Sequence, residues 1–323
     1  MKKKYFVTGG SGFIGSAIVR SLVKQGHEVK VLDNNSRGNK DKLGKVVLDN
    51  ITFIEGDIRS PDSLSQLKGC DSIIHLAYIN GTKFFYEIPY DILDIGIKGM
   101  INVLDAVKKY SIPQLILASS SEVYQLAPVI PTPENIPLII PDINNPRYSY
   151  GGGKIASELL AINFAKQFNL DVRIFRPHNV YGPDMGFEHV IPEICKKIFD
   201  AKINKLKKIK MQGFGDDTRA FIFIDDFVNG INKIITAGAK NEIYHIGSSH
   251  EVTIKLLYDK LISISGDNFT IETESSPIGS TPKRCPDITK IKELGFETKI
   301  LLEEGLRVTY NWYMNYFEQM GLK

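Results

Sequence analysis

The stretch Tyr5-Phe6-Val7-Thr8-Gly9-Gly10-Ser11-Gly12-Phe13-Ile14-Gly15 constrains the fold most, because a short apolar run meets a glycine cluster that opens onto Ala17, Ile18, Leu22 and Val23 at helical spacing. Such a pattern reads as strand, tight turn and helix N-terminus. Its glycines supply a turn residue free to take positive φ, a close backbone approach to a pyrophosphate, and a helix–strand contact. Unpaired helix N–H groups then favour phosphate. Glu28 to Asp33 reads as the next strand and ends in an acid about 20 residues on, where adenosine ribose hydroxyls need a carboxylate. These residues predict a dinucleotide site built from Gly9, Gly12, Phe13, Ile14 and Gly15, with Asp33 and Asn34 at the ribose. Asp33 would repel a 2′-phosphate and favours NAD over NADP; Arg37 is the residue that would favour the reverse.

At 323 residues the chain can bury a large core. A net charge of +3 and a pI near 8.5 are too mild to argue for nucleic acid, and the basic runs Lys2 to Lys4 and Lys205 to Lys210 read as solvated faces. Cys70, Cys195 and Cys285 are too few and too scattered for a disulfide framework or a zinc site, so no metal is expected and a reducing cytoplasm is the simplest home. No apolar run approaches the length of a membrane span or a signal peptide core.

Further strands are expected over Ile51 to Asp57, Ser72 to Ala77, Ile112 to Ala118 and Val172 to Phe175. Asp57 and Ile58 follow the first of these, and Leu76 and Ala77 end the second. Ligands of a parallel sheet sit at those carboxyl ends. His75, inside an apolar strand, reads as a core histidine. A helix runs from about Tyr90 to Tyr110. A second begins near Tyr148 and carries Ile155, Leu159, Leu160 and Phe164 at core spacing. Pro128 to Pro146 is a loop long enough to suspect function. Later elements are a helix at Val190 to Ala201, a strand at Arg219 to Ile224, helices at Phe227 to Ala237 and Ile254 to Ser265, and a final helix from Leu301 to about Met320. Strand and helix alternate over the first half, which predicts an α/β chain with a doubly wound parallel sheet and a smaller lobe after it.

Tyr150 and Lys154 stand four residues apart, on one face of a helix. A tyrosine normally ionises near pH 10. A neighbouring ammonium, or a positively charged nicotinamide ring, stabilises the phenolate and brings it towards use as a base. Tyr150 would then take a proton from a sugar or alcohol hydroxyl, Lys154 would also hold the cofactor ribose, and a serine at the preceding strand end would orient the same hydroxyl.

The glycine cluster, Asp33, Asp57, His75-Leu76-Ala77, Ser119-Ser120-Ser121, Tyr150 and Lys154 come in the order seen in extended short-chain dehydrogenases/reductases, and the chain resembles their nucleotide-sugar epimerase/dehydratase family. Arg176 to Pro183, Arg219 to Asp226 and Arg284-Cys285-Pro286-Asp287 fit as later landmarks. The resemblance implies a Rossmann-type NAD-binding domain over residues 1–182 with about 219–247. A nucleotide-sugar-binding lobe would comprise 183–218 and 248–323. It implies Asn179, Arg219 and Arg284 on the substrate diphosphate, which suits bidentate guanidinium chemistry, and a homodimer through the two long helices. Anchored on Val123-Tyr124, the family serine falls on Ser120, with Ser119 as its neighbour.

The resemblance therefore implies oxidation of C4 of a nucleotide-diphosphate sugar to a 4-keto intermediate. The 4-epimerase outcome stands first, because it needs only Ser120, Tyr150, Lys154 and a tightly held cofactor. Glu122 matches an acid of 4,6-dehydratases and UDP-glucuronate decarboxylases, and as a C5 base it would make the alternative a dehydratase, although Ser121 replaces the usual leaving-group acid. Lys283 to Asp287 is similar to the decarboxylase pattern. A net C4 dehydrogenase and a dinucleotide-sensing regulator are the remaining alternatives. Two departures from the family pattern are Gln125 in place of Gly and Gly96 in place of Asn.

Overall fold

A computed structural model describes residues 2–274 and 283–321. The strands β1 (Lys4–Thr8), β2 (Glu28–Asp33), β3 (Ile51–Glu55), β4 (Ser72–His75), β5 (Gln114–Ala118), β6 (Asp171–Pro177) and β7 (Glu242–Ile246) form one sheet. Its order is β7-β6-β5-β4-β1-β2-β3 and every neighbour is parallel. The order reverses between β1 and β4, and a crevice at that switch point is where such sheets bind ligands. β4 and β5 are buried along their whole length, as strands covered on both faces must be.

Helices cover both faces. α1 (Phe13–Lys24), α4 (Val190–Ile203), α5 (Ile224–Ala237), α6 (Ile254–Ser265) and α7 (Leu302–Gln319) share one continuous core with the sheet. α2 (Gly99–Lys109) and α3 (Ser149–Phe168) enclose the other. The long helix expected from Tyr90 begins as Pro89–Leu93 and reaches α2 through a π-helical turn, Asp94–Lys98. Such turns occur often at functional sites.

Two expectations need correction. α3 buries the expected stripe only in part: Leu160 and Phe164 are half-buried and packed against the core, Ile155 is half-buried, and Leu159 is 58% exposed. Its fully buried face carries Tyr150, Lys154, Ser157, Glu158, Ala161 and Ala165. The small alanines let the helix lie close to the sheet, and the polar residues join a buried hydrogen-bond network described below. The strand expected from Arg219 to Ile224 is two short strands, Thr218–Ala220 and Ile222–Phe223, and Ile224 already opens α5. Thr218–Ala220 pairs with Glu251–Thr253 on one side and with Lys283–Arg284 on the other, which sets Arg284 beside Arg219.

Among the described residues no helix is long and apolar enough to cross a membrane, no cluster of His, Cys, Asp and Glu could hold a metal ion, and the cysteines are free and buried.

Candidate active site

A cleft of about 390 Å³ opens where β1, β4 and β5 end, and Gly9, Gly12, Phe13, Ile14 and Gly15 line it. Gly9 has a φ of 73°, and a Cβ there would lie 2.7 Å from the Ala77 nitrogen. One on Gly15 would lie 2.1 Å from the Gly9 carbonyl. Only glycine fits either position, so the backbone stays bare where a pyrophosphate would approach.

Asp33 ends β2 with its carboxylate fixed, accepting from the N–H groups of Ser11 and Asn35 at 2.9 Å each. Each oxygen keeps a lone pair for a ribose hydroxyl. Asn34, Asp57, Ile58, Leu76 and Ala77 line the same cleft. Asp57 is paired with Arg59 at 2.7 Å, and Arg59 also reaches Asp94 at 3.0 Å. The Arg59 hydrogen bond holds the Asp57 carboxyl below its ordinary range. Arg37 contacts Glu188 at 3.2 Å and lies 4.3 Å over the Phe84 ring. It is thus already engaged, while the carboxylate of Asp33, expected at the ribose, lines the cleft. Titration of the protein is expected to show NADH bound more tightly than NADPH; the reverse order would contradict this assignment of Asp33.

His75 is a core histidine. Its Nδ1 shares a hydrogen bond of 2.7 Å with the Thr8 hydroxyl, and burial, reinforced by Lys154, pushes it down to about 3. It stays neutral, outside any acid–base role at physiological pH.

At the other end of the cleft stand Ser120, Glu122, Tyr150, Lys154, Asn179 and Arg284. The ring of Tyr150 stacks on Phe85 at 5.0 Å and meets the edge of Tyr78 at 5.1 Å, and Ser120, whose hydroxyl accepts from the Glu122 N–H at 3.1 Å, stands in the same cleft. Ser119 instead donates to Glu158. Lys154 donates to the Ala118 carbonyl at 2.7 Å. Contrary to the sequence expectation, the protein's own groups do not bring Tyr150 towards neutrality. Burial dominates and raises its pKa, the nearby Ser120 hydroxyl only partly opposes this, and Glu122 adds to it. Lys154 is itself fully desolvated, which lowers it to about 7 despite the charge of Glu158.

Glu122 does not stand alone. Arg284 grips it bidentately, with a second contact of 3.3 Å. Burial would raise Glu122, but the charge and hydrogen bond of Arg284, then Arg147 and Arg219, hold it below its usual range. An acid so stabilised is a weak base. Asn179 bonds to the Ala220 carbonyl at 3.1 Å. Arg219 is half-buried beside Arg284. The proline-rich loop helps place this corner: Thr132 exchanges backbone bonds of 2.8 Å with Cys285 and Asp287.

The sequence reading missed Glu158, Arg147 and Tyr78. Glu158 had a visible signal, an acid one helical turn beyond Lys154. Arg147, three residues before Tyr150, and Tyr78, next to Ala77, adjoin expected site residues, but nothing in their type or spacing marked them.

A doubly wound parallel sheet, bare glycine loop, ribose acid and Ser–Tyr–Lys cluster define an NAD-binding Rossmann-fold enzyme. The pattern of the NAD dependent epimerase/dehydratase family matches residues 5–247, and the chain belongs to that family. It is 31% identical over 324 residues to a UDP-N-acetyl-alpha-D-glucosaminuronate decarboxylase from Bacillus cytotoxicus, covering 97% of this chain and 98% of the relative. A putative UDP-glucose 4-epimerase from Methanocaldococcus jannaschii is 30% identical, covering 96% of this chain and 98% of its own. Among solved structures, a dTDP-glucose 4,6-dehydratase from Streptomyces venezuelae with NAD bound superposes with a TM-score of 0.88 at 29% identity, covering 99% of this chain and 100% of that one. The cofactor is NAD, and the cleft residues fit it.

Proposed function

We propose that the enzyme oxidises C4 of a nucleotide-diphosphate hexose to a 4-keto intermediate that stays in the cleft. The meeting of Ser120, Tyr150 and Lys154 in the same cleft as the glycine loop and Asp33 carries this reading. When bound, NAD supplies a hydride acceptor. Tyr150 takes the C4 hydroxyl proton, Ser120 orients that hydroxyl, and Lys154 holds positive charge beside the phenolate. Asn179, Arg219 and Arg284 hold the diphosphate. In this reading residues 1–182 with 219–247 bind cofactor, and 183–218 with 248–323 bind substrate. β7 adding to the sheet supports that division.

Epimerisation at C4 asks for nothing beyond Ser120, Tyr150, Lys154 and retained cofactor, and is the outcome we place first. The Glu122–Arg284 pair favours a second reading, decarboxylation of a sugar acid. A C4 ketone is β to a C6 carboxylate, so breaking the C5–C6 bond sends its electrons to the carbonyl and releases carbon dioxide without a C5 base. Arg147 also acts on Glu122 and, not being assigned to the diphosphate, is the cation available to such a carboxylate. Dehydration is disfavoured because Glu122 is held ionised and paired. Incubation with NAD and UDP-, GDP- and dTDP-linked hexoses and hexuronates, followed by mass and NMR analysis, separates the outcomes. An unchanged mass with a new stereocentre supports the first reading and loss of carbon dioxide the second; no product from any sugar would remove both.

Arg284→Ala is expected to raise KM by roughly ten- to a hundred-fold through loss of a charged hydrogen bond. An unchanged KM would place the substrate anion elsewhere. We also propose a homodimer through Pro89–Leu93, α2 and α3, supported by the outward-facing Tyr90, Ile101, Leu159 and Phe168 on this surface. Light scattering should give a dimer mass at micromolar concentration; a monomer mass would contradict it.

A further inference from the structure

Three consecutive glycines, Gly151-Gly152-Gly153, occupy the first turn of α3, a costly choice inside a helix. Gly153 has a local reason. A Cβ there would lie 2.0 Å from the Tyr78 hydroxyl, with the ring carbon Cζ next at 3.3 Å. Across the gap, a Cβ on Gly96 would lie 2.1 Å from the same hydroxyl and 2.3 and 2.4 Å from the ring carbons Cζ and Cε2. Gly96 belongs to the π-helical turn. Thus two glycines on two elements clear the volume that one phenol fills.

The phenol reaches two functional groups from there. Lys154 Nζ lies 4.1 Å above the Tyr78 ring centroid, against 5.8 Å from that of Tyr150. Tyr78 also meets the Tyr150 ring edge-on, at an interplanar angle of 88°. Its hydroxyl, by contrast, is buried with no hydrogen-bond partner among the described residues. An unpartnered buried hydroxyl costs stability, so the useful part of the side chain is its ring.

We infer that Tyr78 is a positioning residue whose ring face holds the Lys154 ammonium beside Tyr150, and that Gly96 and Gly153 are glycine to admit it. A ring face attracts a cation, more strongly where water is excluded. The titratable groups around Lys154 are Tyr150 and Glu158 on its own helix, His75 at the end of β4 and Tyr78 just beyond it. Glu158 is engaged by Arg176 and Ser119, and His75 is neutral. After the Ala118 carbonyl at 2.7 Å, the Tyr78 ring at 4.1 Å is thus the side chain that stabilises this charge without being paired to another ion.

The inference rests on the proposed roles of Lys154 and Tyr150, so its test is read on the protein without turnover. In protein labelled with nitrogen-15 lysine, NMR would follow the Lys154 titration, assigned by its loss in Lys154→Arg. Tyr78→Leu is expected to move that titration downward by roughly 0.5 to 1.5 pH units, and Tyr78→Phe to leave it near the wild-type value. Where turnover is measurable, the alkaline limb of the pH–rate profile should fall in Tyr78→Leu and be restored in Tyr78→Phe. Gly153→Ala should lower the titration as Leu does and lower the thermal midpoint. Adding Tyr78→Phe should restore both, because the nearest remaining atom is then the ring carbon at 3.3 Å. Gly96→Ala should not be restored, since ring carbons still obstruct its Cβ. An unmoved Lys154 titration in Tyr78→Leu, or equal shifts for Leu and Phe, would overturn the inference. The expected titrations without product from any nucleotide sugar would sustain it and remove the reaction assigned above.

Discussion

Tyr150→Phe is expected to bind NAD while its turnover falls by about 100-fold or more, the scale of general-base catalysis. The ring is clamped by Phe85 and Tyr78, so deleting the hydroxyl leaves the packing intact and removes only the proposed proton acceptor. Titration with NAD and steady-state kinetics on the same preparation separate the two effects. Retained turnover with intact binding would show that another group takes the C4 proton.

The second large effect concerns stability. Arg176 is 2% exposed. It binds Glu158 through Nε at 2.8 Å and Nη2 at 2.6 Å, and also donates to the Tyr124 hydroxyl. Tyr124 continues to His245 at 2.6 Å, and the backbone N–H of His245 donates to Glu134 in the proline-rich loop at 3.0 Å. Removing one member leaves an opposite charge buried without a partner. Arg176→Met is therefore expected to cost about 3–5 kcal/mol in chemical unfolding, and Glu158→Leu a similar amount. The double variant should cost clearly less than the sum, since neither charge then remains. Additive losses would mean that the pair contributes nothing through its mutual attraction.

The parts legible in the sequence are those whose geometry is local. A glycine loop between a strand and a helix, an acid at the next strand end and a Tyr–Lys pair at helical spacing each carry their arrangement within a few residues. Strand ends were less legible: β4 stops at His75 although the apolar Leu76 and Ala77 continue past the last ladder bond, and β3 stops at Glu55, before Gly56 and Asp57. The core stripe assigned to α3 held only in part, for a related reason. Apolar spacing marks a face without saying whether sheet or solvent meets it, and here the buried face carries the ionic network. The Glu122–Arg284 pair depends on a short strand, Lys283–Arg284, lying against Thr218–Ala220, a register across long loops that no local pattern records. The fit of Tyr78 between Gly96 and Gly153 joins three distant segments and is a matter of ångströms.

The central claim is that this chain removes hydrogen from C4 of a nucleotide-diphosphate sugar. Stopped-flow absorbance with a turnover-competent sugar, unlabelled and deuterated at C4, tests it most directly. The account predicts transient NADH that forms more slowly from the C4-deuterated sugar, and little signal from either sugar in Tyr150→Phe. NADH forming at the same rate from both sugars, or product appearing with no NADH at all, would contradict it.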